Sequence, residues 1–415
     1  MKSIRFILIT VFSLSLFISC NKMETTPSKS ASEILGNPEY LAISYGGYRI
    51  NTRDSVPTIE QIKEDMKILA AMKIKMLRTY NVHLDEVPNL LEAISQLKKE
   101  DQNFEMYVML GAWIDCKNAW TDKDPIHNEE SERNTTEIET AVALTNKYPD
   151  IVKIIAVGNE AMVKWATSYY VEPHIILKWV NHLQDLKKSG KLPSNLWITS
   201  SDNFASWGGD VPSYHTEDLV KLVNAVDFLS VHTYPFHDSH YNTEFWLTPE
   251  NDSELTDIEK IDDAMLRAKN HAISQYQGVV NYLKNLGIQK PIHIGETGWA
   301  SSSDGFYGND GSRAADEYKA GLFYKHMRDW TKEVGMSCFY FEAFDEQWKD
   351  ASNPLGSENH FGLLTLDGQA KYPLWDYVDQ GVFTGLTRDG KSITKTYNGN
   401  KIVLLKEVLP PPVNK

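Results

Sequence analysis

The sequence predicts a single (β/α)8 barrel, and three observations carry that prediction. Eight short β-rich runs recur along the chain, amphipathic stretches separate them, and no linker long enough to define a second domain interrupts the alternation. A length of 415 residues is enough for one such barrel with insertions. The strand-like runs are Leu41–Tyr45, Met76–Tyr80, Met106–Leu110, Val152–Val157, Trp197–Ser201, Phe228–His232, Ile292–Gly295 and Cys338–Phe341. The helical stretches are Thr58–Met72, Val87–Leu97, Thr136–Asn146, His174–Leu186, Glu217–Val223, Asp262–Leu286, Ala314–Trp330 and Leu374–Val382. The first opens with the capping-box pattern Thr58-x-x-Gln61 and places Ile62, Met66 and Leu69 on one face. The barrel is expected over residues 37–384. In the tail, 385–415, Ser392–Thr396 and Lys401–Val408 flank Asn398-Gly399, which reads as a terminal hairpin with an Asn-Gly turn.

The first residues read as an address. Lys2 and Arg5 precede an apolar run, Phe6–Ser19, that is too short to span a bilayer but suits a signal-peptide core. Leu16-Phe17-Ile18-Ser19-Cys20 resembles a bacterial lipoprotein box. That resemblance implies a signal peptide over 1–20, a lipidated Cys20 as first mature residue, and an extracytoplasmic protein anchored by lipid to a bacterial membrane, the outer one being expected. Residues 21–36 are polar and aperiodic and read as a flexible tether. The 56 acidic residues outnumber the 42 basic ones, for a net charge of −14, which argues against a nucleic-acid partner. Cys20, Cys116 and Cys338 are too few for a disulfide scaffold, and the last two are expected as free thiols in a monomer.

In a (β/α)8 barrel the chemistry gathers where the strands end. Strand four ends Ala156-Val157-Gly158-Asn159-Glu160, and strand seven ends Ile294-Gly295-Glu296-Thr297-Gly298-Trp299. Two carboxylates thus emerge on opposite sides of one barrel mouth, the arrangement glycoside hydrolysis needs: one protonated to serve the leaving oxygen, one ionised. Here the motifs become specific. Val157-Gly158-Asn159-Glu160, Gly295-Glu296-Thr297-Gly298-Trp299 and Phe341-Glu342-Ala343-Phe344-Asp345-Glu346-x-Trp348-Lys349 resemble the motifs of glycoside hydrolase family 17, the β-1,3-glucanases of the large retaining (β/α)8 clan. Matches run from Ser44-Tyr45-Gly46 to His360-Phe361-Gly362-Leu363, with more likeness to microbial than to plant members, because an insert follows strand six at 237–258.

The resemblance implies that Glu160 is the general acid/base and Glu296 the nucleophile. Asn159 is suited to bond a sugar 2-hydroxyl, Arg78 to keep the nucleophile ionised, and Tyr234 to donate to the same carboxylate. Tyr45, Glu346, Lys349 and Glu358 fall at polar or aromatic positions of the family's site region. Trp348 and then Trp113 are the foremost candidates for stacking on glucose rings, ahead of Trp165, Trp207, Trp246 and Trp299. Glu342 reads as a buried, paired group. His237-Asp238-Ser239-His240 imitates a metal site but lacks a His-Glu-x-x-His or Cys-x-x-Cys companion, and neither a nucleotide loop nor a serine-hydrolase elbow occurs. No metal or cofactor is expected. The implied activity is hydrolysis of glucans such as laminarin, with endo action expected; a glucanosyltransferase using the same site and a non-catalytic glycan-binding lipoprotein are the rivals.

Overall fold

The structure, a computed structural model, describes residues 29–252 and 254–413. The signal segment, Cys20 and most of the expected tether lie outside the described residues. All eight predicted strands form. They are β1 (Leu41–Ser44), β2 (Ile74–Arg78), β3 (Tyr107–Ala112), β4 (Val152–Asn159), β5 (Trp197–Asn203), β6 (Leu229–His232), β7 (Ile292–Gly298) and β8 (Cys338–Phe341). They close in the order β1-β8-β7-β6-β5-β4-β3-β2, every pair parallel. The helices between them include Ile59–Ala71, capped as expected by the Thr58–Gln61 box, and Asp257–Asn285.

The interior is layered by the two-residue period of the strands. Ala42, Met76, Met109, Ile154, Ala156 and Phe339 fill the lower half of the barrel. One pleat higher, Ser44 and Arg78 follow Ala42 and Met76 on the same faces and are equally buried. Polar groups replace apolar ones at the height where β1 and β2 end.

Two expectations need correction. The tether does not extend to residue 36. Ser30 and Glu33 form a capping box for a short helix, Ala31–Ile34, and Ala31, Ile34 and Leu35 pack under the barrel with Tyr40, Tyr107 and Phe228. The Gly36 N–H donates to Ser337 Oγ at 2.9 Å. Only three apolar residues turn inward here, too few to show a period. The terminal hairpin is also displaced. Thr387–Arg388 pairs with Lys391–Ser392 around Asp389-Gly390, whose φ angles of 48° and 74° suit a tight hairpin turn. Asn398-Gly399 instead belongs to a left-handed turn, with φ angles of 51°, 50° and 71° at Tyr397, Asn398 and Gly399, and Asn400 caps the helix Lys401–Leu405 by accepting from the Ile402 and Val403 N–H groups. Arg388 decides between the two turns: it is fully buried, and its Nε donates to Asp65 Oδ1 at 3.1 Å, docking the first hairpin on the barrel. The insert after β6 opens with a helix, Pro235–Tyr241, and folds back onto the barrel. Its Trp246 is wholly buried, and Thr248 is tied to the tail: its N–H donates to Pro412 O and its hydroxyl to Pro411 O. Cys116 and Cys338 are buried free thiols.

The packed N-terminal segment yields a test. Protein starting at residue 37 should be less stable than protein starting at residue 29 by about 2–4 kcal/mol, roughly the burial of two large apolar side chains and one small one less the cost of ordering the segment. Denaturant melts of the two forms measure this, and equal midpoints would show that residues 29–36 contribute nothing.

Candidate active site

Two register irregularities aim the central residues. Along β4, Ala156 pairs with Thr199 and Asn159 with Ser201, so β4 spends three residues where β5 spends two. Along β7, Ile294 to Glu296 spans two residues opposite Val231 to His232 on β6, again one extra. The ladder to β8 slips in the same place. A one-residue insertion exchanges the faces of a strand. Ile294 belongs to the outer core, and strict alternation would send Glu296 outward with it. The extra residue turns Glu296 inward, and glycine is required beside it: a Cβ on Gly295 would lie 1.9 Å from Ser230 Oγ. On β4 the same device turns Asn159 inward. Glu160 follows with φ 45°, a left-handed conformation that is uncommon for a side-chain-bearing residue.

Arg78 is the hub. It is 1% exposed. Its Nη1 pairs with Glu296 Oε2, its Nη2 donates to Asn159 Oδ1, and the same Nη2 lies 3.3 Å from His232 Nε2. Glu296 also accepts from Tyr234 Oη at 2.6 Å on Oε1 and from Tyr80 Oη at 3.2 Å on Oε2. Burial alone would raise the Glu296 pKa. The Arg78 charge and the Tyr234 hydrogen bond outweigh it and bring the group down to about 2. Glu296 is therefore a carboxylate at any working pH, with both oxygens fixed.

Glu160 is held differently. Its N–H donates to Ser201 O at 2.9 Å, and its Oε1 lies 3.1 Å from His232 Nδ1. His232 Nε2 faces Ser201 Oγ at 2.7 Å as well as Arg78. Arginine can only donate, so in the neutral ring Nε2 accepts and the proton lies on Nδ1, directed at Glu160. No arginine or lysine side chain is bonded to Glu160 among the described residues. Beside it, Asp202 is fully buried and accepts from the Met162 and Asn203 N–H groups. Burial, joined by the Glu160 charge, pushes Asp202 up to about 7 against those hydrogen bonds. Asp202 thereby orders the loop that follows Glu160.

Both carboxylates open into a cleft of about 1030 Å³. Asn159, Glu346, Trp348, Lys349, Glu358 and Trp113 line it with them. Lys349 pairs with Glu342 and lies 3.8 Å from Glu346. Glu342 is wholly buried, as expected of a paired group. Burial raises both carboxyls, while Lys349, which burial alone would lower, is held protonated by them. Gly46 makes room for this cluster: a Cβ there would lie 2.1 Å from Glu346 Oε1. Trp348 borders the cleft with the Arg53 guanidinium 4.2 Å from its ring centre. Glu358 is half-exposed, 3.9 Å from His237 Nε2.

Some expectations separate here. Tyr45 lines the cleft but is 2% exposed and donates its hydroxyl to Asp65 at 3.0 Å, so it serves the wall and offers little ring surface for stacking. Trp207, Trp246 and Trp299 are buried, each with its indole N–H on a backbone carbonyl, and belong to the core. Trp165 is exposed and outside the cleft lining. Sequence reasoning missed Tyr80, His232 and Asp202. Each ends or follows a predicted strand, Tyr80 and His232 each two residues from a recognised site residue, and polarity at an otherwise apolar strand end was the available signal.

Residues 42–362 match the BtgE/BtgC glycoside hydrolase domain. The chain belongs to that family. The match bears out the family-17 resemblance read from the motifs. A crystal structure of an endo-laminarinase from Formosa Hel1_33_131 is 66% identical, covering 93% of this chain and 98% of that one, with a TM-score of 0.93. An Aspergillus niger protein named as a glucan endo-1,3-beta-glucosidase, btgC, is 24% identical over 324 residues. Those residues are 74% of this chain but 39% of the relative, so the chain spans well under half the length of that protein. A glucan 1,3-beta-glucosidase of Arthroderma benhamiae is 26% identical over 275 residues, 64% of this chain and 70% of the relative. A Rhizomucor miehei β-1,3-glucanosyltransferase shares the fold at 20% identity, with a TM-score of 0.56.

The electrostatics of Glu296 give a pH prediction. Its pKa is depressed, so its ionised form is present above the ordinary carboxylate range and is lost only as pH falls toward 2. Arg78→Gln removes the charge that opposes burial. The acid limb of kcat/KM that reports Glu296 should then move upward by about 1–3 pH units. A pH profile in which Arg78→Gln leaves that limb in place would show that Arg78 does not set the ionisation of Glu296.

Proposed function

We propose that the protein is a retaining, endo-acting β-1,3-glucanase for laminarin-type glucans, with Glu296 as nucleophile and Glu160 as general acid/base. The observation that carries this reading is the asymmetry between the two carboxylates. Glu296 is locked as an anion by Arg78, Tyr234 and Tyr80, whereas Glu160 faces the cleft with, among the described residues, only the His232 ring on its carboxylate. The substrate class is supported by the 66% identity to a protein titled an endo-laminarinase, over nearly that whole chain. The relatives named as glucan endo-1,3-beta-glucosidases support it in turn.

In the first step a Glu296 oxygen bonds to the anomeric carbon as the bond to the leaving oxygen breaks, and Glu160 gives that oxygen its proton. The product is a glycosyl-enzyme ester. In the second step Glu160, now a carboxylate, takes a proton from water as the water oxygen displaces Glu296. Asn159, whose carbonyl oxygen is turned to Arg78, has its amide N–H groups free to donate to the sugar 2-hydroxyl. Tyr234 and Tyr80 stop donating to a full charge as the ester forms, and regain it on hydrolysis.

The two roles differ under rescue. Glu160→Ala should retain turnover of substrates with good leaving groups and respond to azide with a β-glycosyl azide. Glu296→Ala should lose activity by at least about 10³-fold and give the α-azide. Chromatography and NMR of the azide products distinguish them; full activity in either variant would remove the assignment.

We further propose an extracytoplasmic, lipid-anchored location, supported by residues 1–20 alone. Cys20→Ala should move the expressed protein from the membrane fraction to the soluble fraction, and an unchanged distribution would contradict anchoring at Cys20.

A further inference from the structure

Aromatic side chains flank the cleft at both ends. Trp348 and Tyr48 belong to the β8 and β1 side, and Trp113 and Trp120 to the β3 side. In the strand order β8 and β1 follow β7, which bears Glu296, whereas β3 adjoins β4, which bears Glu160. A general acid protonates the oxygen of the departing chain, so that chain leaves on the acid's side. The Trp113–Trp120 end is therefore the leaving-group end, on the reading of Glu160 and Glu296 given above.

Trp120 is carried by a hairpin that sequence reasoning did not anticipate, in which Cys116–Lys117 pairs with Ile126–Glu130. Its ring stacks on Tyr169 with centroids 5.2 Å apart and planes 21° apart, and Trp113 contacts the same ring at 5.3 Å. Tyr169 comes from the loop after Glu160, and the Cys116 N–H donates to its carbonyl at 3.1 Å, tying hairpin and loop together. Despite that stack Trp120 is 57% exposed. Its backbone is left-handed, φ 61°, as is that of Asn118, φ 65°. Such conformations persist when the surroundings impose them. Here Arg133 donates to Ala119 O at 3.0 Å and to Asp115 at 2.8 Å, and Asn118 Nδ2 donates to Asp124 O at 3.0 Å. The hairpin is thus built rigidly around an indole that is left facing solvent at the cleft, a display that packing does not require.

We propose that Trp120, backed by Tyr169 and joined by Trp113, is a sugar-stacking platform on the leaving-group side. It holds the departing part of a long glucan, and it holds an incoming glucan chain when that chain, in place of water, intercepts the glycosyl-enzyme. In that transfer the acceptor hydroxyl gives its proton to Glu160, its oxygen bonds to the anomeric carbon, and Glu296 leaves as a carboxylate. The apolar face of a pyranose ring covers the free indole face, and the rigid hairpin keeps the ordering cost small.

The test compares wild type, Trp120→Ala and Trp120→Tyr on laminarihexaose, on β-laminaribiosyl fluoride, and on the fluoride with added laminaritriose as acceptor. Trp120→Ala should lower kcat/KM on the hexasaccharide about tenfold and the transfer-to-hydrolysis ratio by a similar factor. Hydrolysis of the fluoride, which has no sugar on that side, should stay within about twofold, and Trp120→Tyr should restore most of both losses. Equal losses on all three substrates would make Trp120 a structural residue, and no loss on the hexasaccharide or in transfer would remove the platform. Either result, with Glu296→Ala inactive on both substrates and Glu160→Ala inactive on the hexasaccharide but not on the fluoride, would leave the catalytic assignment standing.

Discussion

The buried pair Arg78–Glu296 is the constraint on which the rest of the site depends. Taking two charges out of water is costly, and a pair so placed is stable only if its remaining donors and acceptors are also satisfied. Most of them here are shared outward: Glu296 takes bonds from Tyr234 and Tyr80, and Arg78 gives one to Asn159 and approaches His232, while its Nε has no hydrogen-bond partner among the described residues. His232 in turn contacts Glu160. Every group next to the reacting bond is therefore positioned, directly or through one intermediate, by a guanidinium at the end of β2. The barrel places Arg78 by alternation, since Met76 and Arg78 occupy successive inward positions of one strand, and turns Asn159 and Glu296 toward it by the extra residues in β4 and β7.

A second buried charge cluster forms the adjoining wall. Lys349 lies between Glu342 and Glu346, over the Phe341 ring at 4.0 Å. Two carboxyls and one ammonium held out of solvent give this wall a fixed polarity next to Trp348, while the wall on the β3 side is aromatic and bounded by a hairpin. Both ends of the cleft thus carry aromatic rings, and the β8 end sets its ring beside a buried charge cluster. The long insert after β6 takes little part in this. Trp246 and Thr248 bind it down to the barrel and to the proline-rich tail, so it buttresses the outside of the barrel.

Much of this architecture is legible in the amino-acid sequence. The alternation of β-rich and amphipathic runs locates all eight strands, because each element's period reflects one buried face. Glu160, Glu296, Arg78, Asn159 and Tyr234 stand out because they lie at or just after strand ends in recognisable motifs. What stays hidden has physical reasons. The extra residues in β4 and β7 are invisible in composition, since a bulge shows only against the neighbouring strand. His232 and Tyr80 act through contacts with residues far away in sequence. Trp207, Trp246 and Trp299 look like binding residues because an indole near a strand end serves packing and stacking equally well. The segment 30–36 looks like tether because three inward residues make no pattern, and Asn398-Gly399 looks like a hairpin turn because what excludes it, the docking of Arg388 on Asp65, is tertiary.

The central claim is that Glu296 attacks the anomeric carbon. That attack inverts the carbon once, and hydrolysis of the ester inverts it again, so the newly formed reducing end must first appear as the β-anomer. Proton NMR of the earliest hydrolysate of a laminari-oligosaccharide, recorded before mutarotation, reads this directly. A β-anomer signal that appears first, with the α-anomer growing in later, is the result the structure predicts. An initial α-anomer would contradict it, because Glu296 would then be activating water instead of forming a covalent bond.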